Sequence, residues 1–151
     1  MSRFKMILVT LACLVSSQIS AAEINEIDLD KILAEKKAII EENLPLTQQE
    51  KQTFSSLYDD FMKEIVKVLE RRTLLSRKVM EIQENINDKQ ARAMIEEHFS
   101  LLDESVKVKK LMLARLRKAL PERKVLMFFQ IEAKIEAGFS YFLAEKIPLI
   151  K

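Results

Sequence analysis

The side chains that could perform chemistry are few and scattered along this sequence. His98 is the single histidine in 151 residues, and the residues three and four positions from it are Met, Ile or Leu. One imidazole without a second ligand on its helix face is a poor zinc site. No nucleophile is paired with a base, and the single glycine, Gly138, leaves no glycine-rich phosphate loop. We therefore predict that the protein is not an enzyme, with no cofactor and no bound metal, and interpret His98 as an ordinary, partly buried residue.

The most motif-like polar group lies late in the sequence, where polar and apolar residues alternate. Its polar members are Gln130, Glu132 and Lys134. Alternation does not match a helical period, so on a helix these three side chains point over a wide arc. They either contact a partner or form a buried hydrogen-bond network that fixes the last helix in register, and we favour the network.

Residues 105–124 carry eight basic side chains and one acidic side chain. This basic patch consists of Lys107, Lys109, Lys110, Arg115, Arg117, Lys118, Arg123 and Lys124. Such a cluster suits the C-terminal end of a helix, and it would face residues 23–43, which hold seven acidic and three basic side chains. The alternative is an exposed patch that contacts anionic lipid headgroups or acidic proteins.

The N-terminal residues predict export. Arg3 and Lys5 precede an apolar run from Met6 to Val15, and a polar stretch then ends in Ser20-Ala21-Ala22. This order is typical of a secretory signal peptide, and the run is much shorter than the roughly 20 apolar residues of a membrane-spanning helix. We expect residues 1–22 to be a signal peptide cleaved after Ala22, and residues 23–151 to form a single helical domain in the periplasm.

Cleavage would change the composition of the protein. Without Arg3 and Lys5 the 25 basic residues become 23, which equals the 23 acidic residues, so the mature chain is formally neutral. Cys13 is also removed, which excludes disulfides, thiol catalysis and thiolate metal sites. A neutral, exported protein is not expected to bind nucleic acid.

The longest regular pattern is a helical one from Thr47 to Asn87. Apolar residues recur there at alternating steps of four and three, and no glycine or proline interrupts them. Thr47 and Glu50 predict a capping box at the start of this helix. Its apolar seam, interrupted at Arg72, consists of Phe54, Tyr58, Phe61, Ile65, Val68, Leu75, Val79, Ile82 and Ile86.

A turn at Asn87-Asp88 is predicted because Asn87 can cap the next helix, with Gln90 three residues later. This helix extends to about Leu120, and its seam has the same spacing: Ile95, Phe99, Leu102, Val106, Leu113, Leu116 and Leu120. Two helices with matching seams form an antiparallel hairpin. Paired positions then add up to about 175, which places Arg72 near Asp103 and Glu104. Arg72 either forms a salt bridge there or extends to water along its own stem.

Two shorter helices complete the prediction. One runs from Asp28 to Asn43, and the other follows Pro121, a favourable first-turn residue, to about Glu145. The apolar residues of the last helix cover more than one side, so it should pack against the hairpin. The expected fold class is all-α, a long antiparallel helical hairpin with a short N-terminal helix and a closing C-terminal helix.

A second apolar stripe lies about 100° around from each seam. It contains four methionines and consists of Met62, Val66, Leu69, Met80, Met94, Leu101, Val108 and Met112. Methionine is adaptable and frequent on surfaces that accept many partners, so an exposed stripe of this kind would suit client binding. The competing interpretation is that the stripe is core, against which the first and last helices pack.

Three segments resemble known helical proteins of the periplasm. They are Leu46-Thr47-Gln48-Gln49-Glu50, then Leu120-Pro121-Glu122-Arg123-Lys124 with Phe128-Phe129-Gln130-Ile131-Glu132-Ala133-Lys134-Ile135, and Leu143-Ala144-Glu145-Lys146-Ile147-Pro148-Leu149. The first resembles the LTxxQ motif of the Spy/CpxP group, with Glu50 in place of glutamine. The others are similar to exported proteobacterial proteins without an assigned activity. The resemblance implies a hairpin-based four-helix fold, often a cradle-shaped dimer, and a role as chaperone or envelope-stress adaptor.

Three functions are consistent with these observations. The first is a binding protein that holds unfolded or envelope proteins, or a sensor kinase, and that can form a homodimer. The second is a structural or assembly protein that oligomerises through its helices. The third is a metal-responsive relative of the same group.

Overall fold

The computed structural model of the protein describes residues 29–146 and residue 149. These residues form four helices and no strand: α1 (Leu29–Asn43), α2 (Gln48–Ile82), α3 (Asp88–Ala119) and α4 (Glu122–Lys146). Helices α2 and α3 form a long antiparallel hairpin, and α1 and α4 complete an all-α fold, which confirms the predicted fold class. The predicted signal peptide, residues 1–22, lies outside the described residues.

Local side-chain chemistry fixes where α2 and α3 begin. The Thr47 hydroxyl accepts from the Glu50 amide at 3.3 Å, and the Glu50 carboxylate accepts from the Thr47 amide at 2.7 Å. Asn87 and Gln90 make the same reciprocal pair, with both distances 3.0 Å. Each pair satisfies two amides that a helix N-terminus leaves without partners. Both predicted capping boxes are confirmed.

The hairpin turn is longer than predicted. Helix α2 ends at Ile82 rather than Asn87, so it spans 35 residues, about 52 Å, and residues 83–87 form the connection. The amide of Asn85 donates to the Ile82 carbonyl at 2.9 Å in this turn. Asparagine favours turns and caps over helix interiors because its side chain competes for backbone hydrogen bonds. Asn85 and Asn87 therefore end the helix although the apolar pattern continues to Ile86.

The core lies at the end of the hairpin where α2 begins and α3 ends. All four helices contribute buried apolar residues to it: Ile40, Leu44, Phe54, Tyr58, Phe61, Ile65, Met112, Leu116, Leu120, Val125, Phe128 and Ile131. Phe128 is fully buried at its centre, and the rings of Phe54, Tyr58 and Phe61 lie edge-on to it at centroid distances of 5.7, 6.4 and 6.1 Å. We call this part of the molecule the proximal end.

The other part of the hairpin, residues 74–106, is the distal half, and its side chains are much less buried. The first five seam residues of α2, Phe54 to Val68, are buried, whereas Leu75, Val79, Ile82 and Ile86 are half-buried. Burial on α3 follows Met94, Leu101, Ser105 and Met112 instead of the predicted seam. Ile95, Phe99, Leu102 and Val106 are exposed, so the predicted seam of α3 is wrong in this half.

The register of the hairpin agrees with the prediction, but one ion pair does not. Arg71 bonds Glu104 at 2.5 Å and Glu97 at 2.7 Å, and Arg115 lies 3.6 Å from Asp60. The pairs Arg71–Glu104 and Arg115–Asp60 both add up to 175. Arg72 does not form the predicted pair with Asp103 or Glu104. One residue along a helix is a rotation of 100°, and this directs Arg72 towards α4, where it lies 3.9 Å from Glu136.

Candidate docking groove

An apolar groove lies between α2 and α3 in the distal half. Leu75, Ser76, Val79 and Ile86 form one wall, and Ala91, Met94, Ile95, His98 and Phe99 form the other. Its volume is about 320 Å³, and it is open to solvent. Ser76 and His98 are the two polar lining residues, so the groove offers an apolar segment contact area and few directional hydrogen bonds.

Four exposed apolar residues continue the α3 wall of this groove. We call Ile95, Phe99, Leu102 and Val106 the distal stripe; they are 57%, 61%, 38% and 47% exposed. Their spacing of four, three and four residues places them on one face of α3 and matches a coiled-coil seam. A row of large apolar side chains in water marks an interaction surface more often than a scattered apolar residue does. Together, the distal groove and the distal stripe are the candidate functional site.

Of the client-binding residues predicted from the methionine pattern, Met94 lines the groove and the other seven lie elsewhere. On α3, Met94, Leu101 and Met112 are buried, and Val108 is half-buried. On α2, Met62, Val66, Leu69 and Met80 are all half-buried. Met94, Leu101 and Met112 of this stripe are therefore buried rather than exposed. Burial of these residues leaves the distal part of the predicted α3 seam, Ile95 to Val106, on the outside.

His98 lies on the rim of the groove and is exposed rather than partly buried. Its ring meets that of Phe99 edge-on, with centroids 5.4 Å apart. Within residues 29–146, no three His, Cys, Asp or Glu side chains are grouped so that they could hold a metal ion. His98 can therefore add an aromatic or hydrogen-bonding contact to an occupant of the groove.

Glu132 is the one buried residue of the predicted polar group Gln130, Glu132 and Lys134. Its carboxylate Oε1 accepts from Lys36 Nζ of α1 at 2.5 Å, and both residues are buried. Lys36 Nζ also lies 5.6 Å from the centre of the Phe61 ring. The pair joins α1 to α4 across the core. Gln130 and Lys134 are exposed, so they do not share this buried position.

A small cavity with a mainly apolar surface lies between the proximal core and the distal groove. Its volume is about 40 Å³, and charged residues from all four helices also line it: Lys36, Arg72, Lys109, Glu132 and Glu136, with Ser105. Lys109 and Arg72 both pair with Glu136. Among the described residues, Glu132 Oε2 is buried without a hydrogen-bond donor. A cavity of this size has room for a water molecule that could supply one.

The pKa of Tyr58 shows that this interior disfavours charge. Burial raises the pKa of its phenol well above the ordinary value, and the nearby charge of Glu132 raises it further. The hydroxyl of Tyr58 is buried and has no hydrogen-bond partner within the described chain. The raised pKa therefore reflects an environment that disfavours charge, and nothing in its geometry indicates acid–base chemistry.

Half of the basic patch is neutralised by carboxylates of α2 and α4 rather than by the acidic α1. The pairs are Lys109–Glu136, Arg115–Asp60, Arg117–Glu122 and Lys124–Glu50. Lys107, Lys110, Lys118 and Arg123 are exposed, and no carboxylate of the described residues forms an ion pair with them. Lys107 and Lys118 are eleven residues apart and so share the outer face of α3.

No helix within the described residues is both long enough and apolar enough to cross a membrane. Comparison with known proteins finds no matching family model, no matching curated protein and no matching solved structure. The distal groove and the distal stripe are therefore the basis for a functional proposal.

Proposed function

We propose that this chain is a non-enzymatic helical binding protein of the periplasm that holds apolar segments of other proteins, as a chaperone or an adaptor does. One observation carries the proposal: four large apolar residues of α3 are exposed in a continuous stripe beside an open apolar groove. The resemblance of Leu46 to Glu50 to the Spy/CpxP motif supports the same function, and the signal-like N-terminus supports the compartment.

The proximal end contains the residues that stabilise the fold, and the distal half contains the residues that we propose bind a partner. The proximal end holds the buried core, including Phe54, Phe61 and Phe128, and pairs Lys36 with Glu132 in its interior. The distal half exposes apolar side chains that contribute little to folding while they remain in water. An apolar segment that covers Ile95 and Phe99 removes their surface from water, and this transfer drives binding.

The chemistry of the groove sets the class of partner. Seven of its nine lining residues are apolar, and the other two are Ser76 and His98, so no acidic, lysine or arginine side chain lines it. Recognition therefore depends on apolar area rather than on a pattern of charges. Unfolded segments of envelope proteins, which expose aliphatic and aromatic side chains, have this property. A single amphipathic helix of a folded partner, such as a sensor kinase, has it as well.

The test is suppression of aggregation of an unfolding client protein. The double variant Ile95→Ser/Phe99→Ser removes the centre of the candidate site, and both residues are more than half exposed, so the variant should fold. The matched control is Leu111→Ser/Leu126→Ser, because these residues are 63% and 60% exposed but do not line the groove. We expect the first variant to lose suppression and the control to retain it, at equal melting temperatures.

The result that would refute this function is equally specific. A chain that does not suppress aggregation at several-fold molar excess is not a chaperone of this kind. If Ile95→Ser/Phe99→Ser suppresses aggregation as well as the unchanged chain, the activity does not reside in the distal groove. Equal loss in both double variants would indicate a general effect of surface hydrophobicity.

A second function, helical self-assembly, is favoured by one observation, the coiled-coil spacing of the distal stripe. Sedimentation velocity over a range of concentrations distinguishes the two functions. Assembly predicts an oligomer that dissociates when Ile95 and Phe99 become serine, without suppression of client aggregation. Client binding predicts suppression by the unchanged chain whatever its oligomeric state.

A further inference from the structure

The C-terminal half of α3 carries exposed cations that the described chain leaves unpaired. Lys107, Lys110 and Lys118 are exposed on this helix, and Arg123 is exposed at the start of α4. None of the four forms an ion pair with a carboxylate of the described residues. The single acidic side chain of residues 105–124 is already paired within that segment. This end of the molecule therefore presents positive charge to the solvent.

The acidic first helix does not supply the missing negative charges. Helix α1 forms two ion pairs within the described residues, and both use its lysines: Lys36 pairs with Glu132, and Lys37 pairs with Asp59. Its helix contacts are chiefly with α4. The cations of α3 are therefore left to a partner outside the chain.

One large apolar side chain lies among these cations. Leu111 is 63% exposed, four residues after Lys107 and seven residues before Lys118. Residues at these separations share one face of a helix. We call Lys107, Lys110, Leu111, Ala114 and Lys118, which are all exposed, the basic face. A helix that lies on a membrane surface has the same composition, because its apolar side chains enter the headgroup boundary while its cations contact anionic lipids.

A wide groove beside the basic face has room for a lipid headgroup. It lies between the start of α2 and the end of α3, has a volume of about 570 Å³ and is open to solvent. Lys118 and Arg115 line it together with Gln49 and Thr53. Glu50 also lines it, but its carboxylate already accepts hydrogen bonds from the first residue of the capping box and from α4. Lys118 can therefore contact a phosphate group from the groove as well as from the basic face.

The types of cation favour a lipid surface over an acidic protein. Three of the four unpaired cations are lysines, whose ammonium is a hydrated point charge, whereas arginine is the residue that binds a carboxylate through two parallel hydrogen bonds. From Lys107 to Lys118 the charges extend over about 17 Å of helix. Separated point charges suit a layer of mobile phosphate groups, and an exposed Leu111 suits the apolar boundary below that layer.

We propose that the basic face of α3 binds the surface of a membrane that contains anionic phospholipids. Its lysines contact the phosphate groups, Arg123 adds a charge at the end of the helix, and Leu111 enters the headgroup boundary. The basic face lies outside the distal half, so a membrane and an apolar partner can be bound at the same time. This proposal does not depend on the proposed function, since neither the distal groove nor the distal stripe takes part in it.

The test is flotation of residues 23–151 with phospholipid vesicles. Residues 1–22 are omitted because they contain an apolar run, and every residue of the core lies after residue 38. Vesicles of phosphatidylcholine alone are compared with vesicles in which about a third of the lipid is phosphatidylglycerol. We expect binding to the anionic vesicles only, and weaker binding when the salt concentration rises from 0.1 M to 1 M, because the screening length falls from about 10 Å to about 3 Å.

The decisive variant is Lys107→Gln/Lys110→Gln/Lys118→Gln. Each cation near an anionic surface strengthens binding about fivefold, so this variant should bind about one hundredfold more weakly. The matched control, Lys78→Gln/Lys89→Gln/Arg92→Gln, removes three exposed cations of the distal half and should bind nearly as tightly as the unchanged chain. Replacing the three lysines of the basic face by arginine keeps the charge and should preserve binding. All variants should have the melting temperature of the unchanged chain.

Several results would overturn the inference. They are absence of binding to anionic vesicles at 0.1 M salt, equal binding to both kinds of vesicle, and equal weakening in the two glutamine variants. Release by inorganic phosphate, but not by chloride at the same ionic strength, would indicate a site for a single phosphate group instead of a lipid surface. Binding to polyglutamate without binding to vesicles would indicate an acidic protein as the partner.

Vesicle binding and client binding are tested by separate residues. Ile95→Ser/Phe99→Ser should bind anionic vesicles as the unchanged chain does, because the basic face is intact. The triple glutamine variant of the basic face should still suppress client aggregation. Loss of vesicle binding in Ile95→Ser/Phe99→Ser would place the membrane contact on the distal stripe and overturn the inference, whatever the outcome of the aggregation assay.

Discussion

Replacing Glu132 by alanine removes the carboxylate that neutralises Lys36 inside the protein. The two charged atoms are 2.5 Å apart, and the two side chains are 8% and 4% exposed. The variant leaves the Lys36 ammonium beside the Phe61 ring without its counter-charge. Breaking a buried ion pair by removing one partner costs about 3–5 kcal/mol, because the remaining charge is desolvated and uncompensated.

This cost should appear as a large fall in melting temperature. An unfolding entropy of about 2.1 cal/mol/K per residue gives roughly 0.25 kcal/mol/K for residues 29–146. A loss of about 3–5 kcal/mol then lowers the melting temperature by about 12–20 °C. Far-UV circular dichroism follows the transition directly, because the described chain is almost wholly helical.

Two further variants separate the buried charge from the loss of packing. The double variant Lys36→Met/Glu132→Met replaces the pair by apolar side chains and should be about as stable as the unchanged chain, or more stable. Lys37 lies on α1 beside Lys36 and forms an exposed ion pair with Asp59 of α2. Lys37→Ala removes this pair and should change stability by less than about 1 kcal/mol. A Glu132→Ala melting temperature within about 3 °C of the unchanged chain would refute the reasoning.

Three more predictions concern the fold. Phe128→Ala should cost about 3–5 kcal/mol in urea denaturation, because it leaves a cavity where three other rings meet. Thr47→Ala and Asn87→Ala should each cost about 1 kcal/mol in the same assay, since each removes a helix cap. Hydrogen bonds from Lys124 and then from the Thr47 amide lower the pKa of Glu50, and a lowered carboxyl pKa stabilises the fold above the unfolded value. Glu50→Gln should therefore be less stable than the unchanged chain at pH 7. The difference in stability should shrink as the pH falls below about 4.3, the unfolded-state pKa, and through the lowered folded-state pKa. Urea denaturation of both chains at pH 7 and at pH 3 measures this change.

Helix boundaries could be predicted where they depend on neighbouring residues. The caps at Thr47 and Asn87 involve side chains three positions away, so the sequence contains both partners of each contact. The end of α2 was harder to place, because the apolar spacing continues to Ile86. The signal against a longer helix was local as well: Asn85 and Asn87 prefer turns and caps.

The face of α3 that packs on α2 could not be predicted in the same way. Met94 and Ile95 head two apolar stripes about 100° apart, and either could be the seam by spacing alone. The choice depends on partners that are distant in sequence, because α4 also packs on α3 and competes with α2 for its apolar surface. The predicted helix lengths, in contrast, do indicate which part of the hairpin is left uncovered. The first and last helices, with 15 and 25 residues, pack on the proximal end of a 35-residue helix and leave the distal half open.

The position of α4 in the core has a consequence for how the chain folds. The hairpin contacts join segments that follow one another, whereas Lys36 meets Glu132 across a separation of 96 residues. Contacts of long sequence separation form late, because the loop they close must first lose its entropy. During synthesis, the ring contacts that Phe128 makes with Phe54, Tyr58 and Phe61 therefore cannot form until the last helix has been made. We therefore expect the core to pack only after α4 has been made, and a chain interrupted before residue 128 to be a loosely packed, aggregation-prone hairpin.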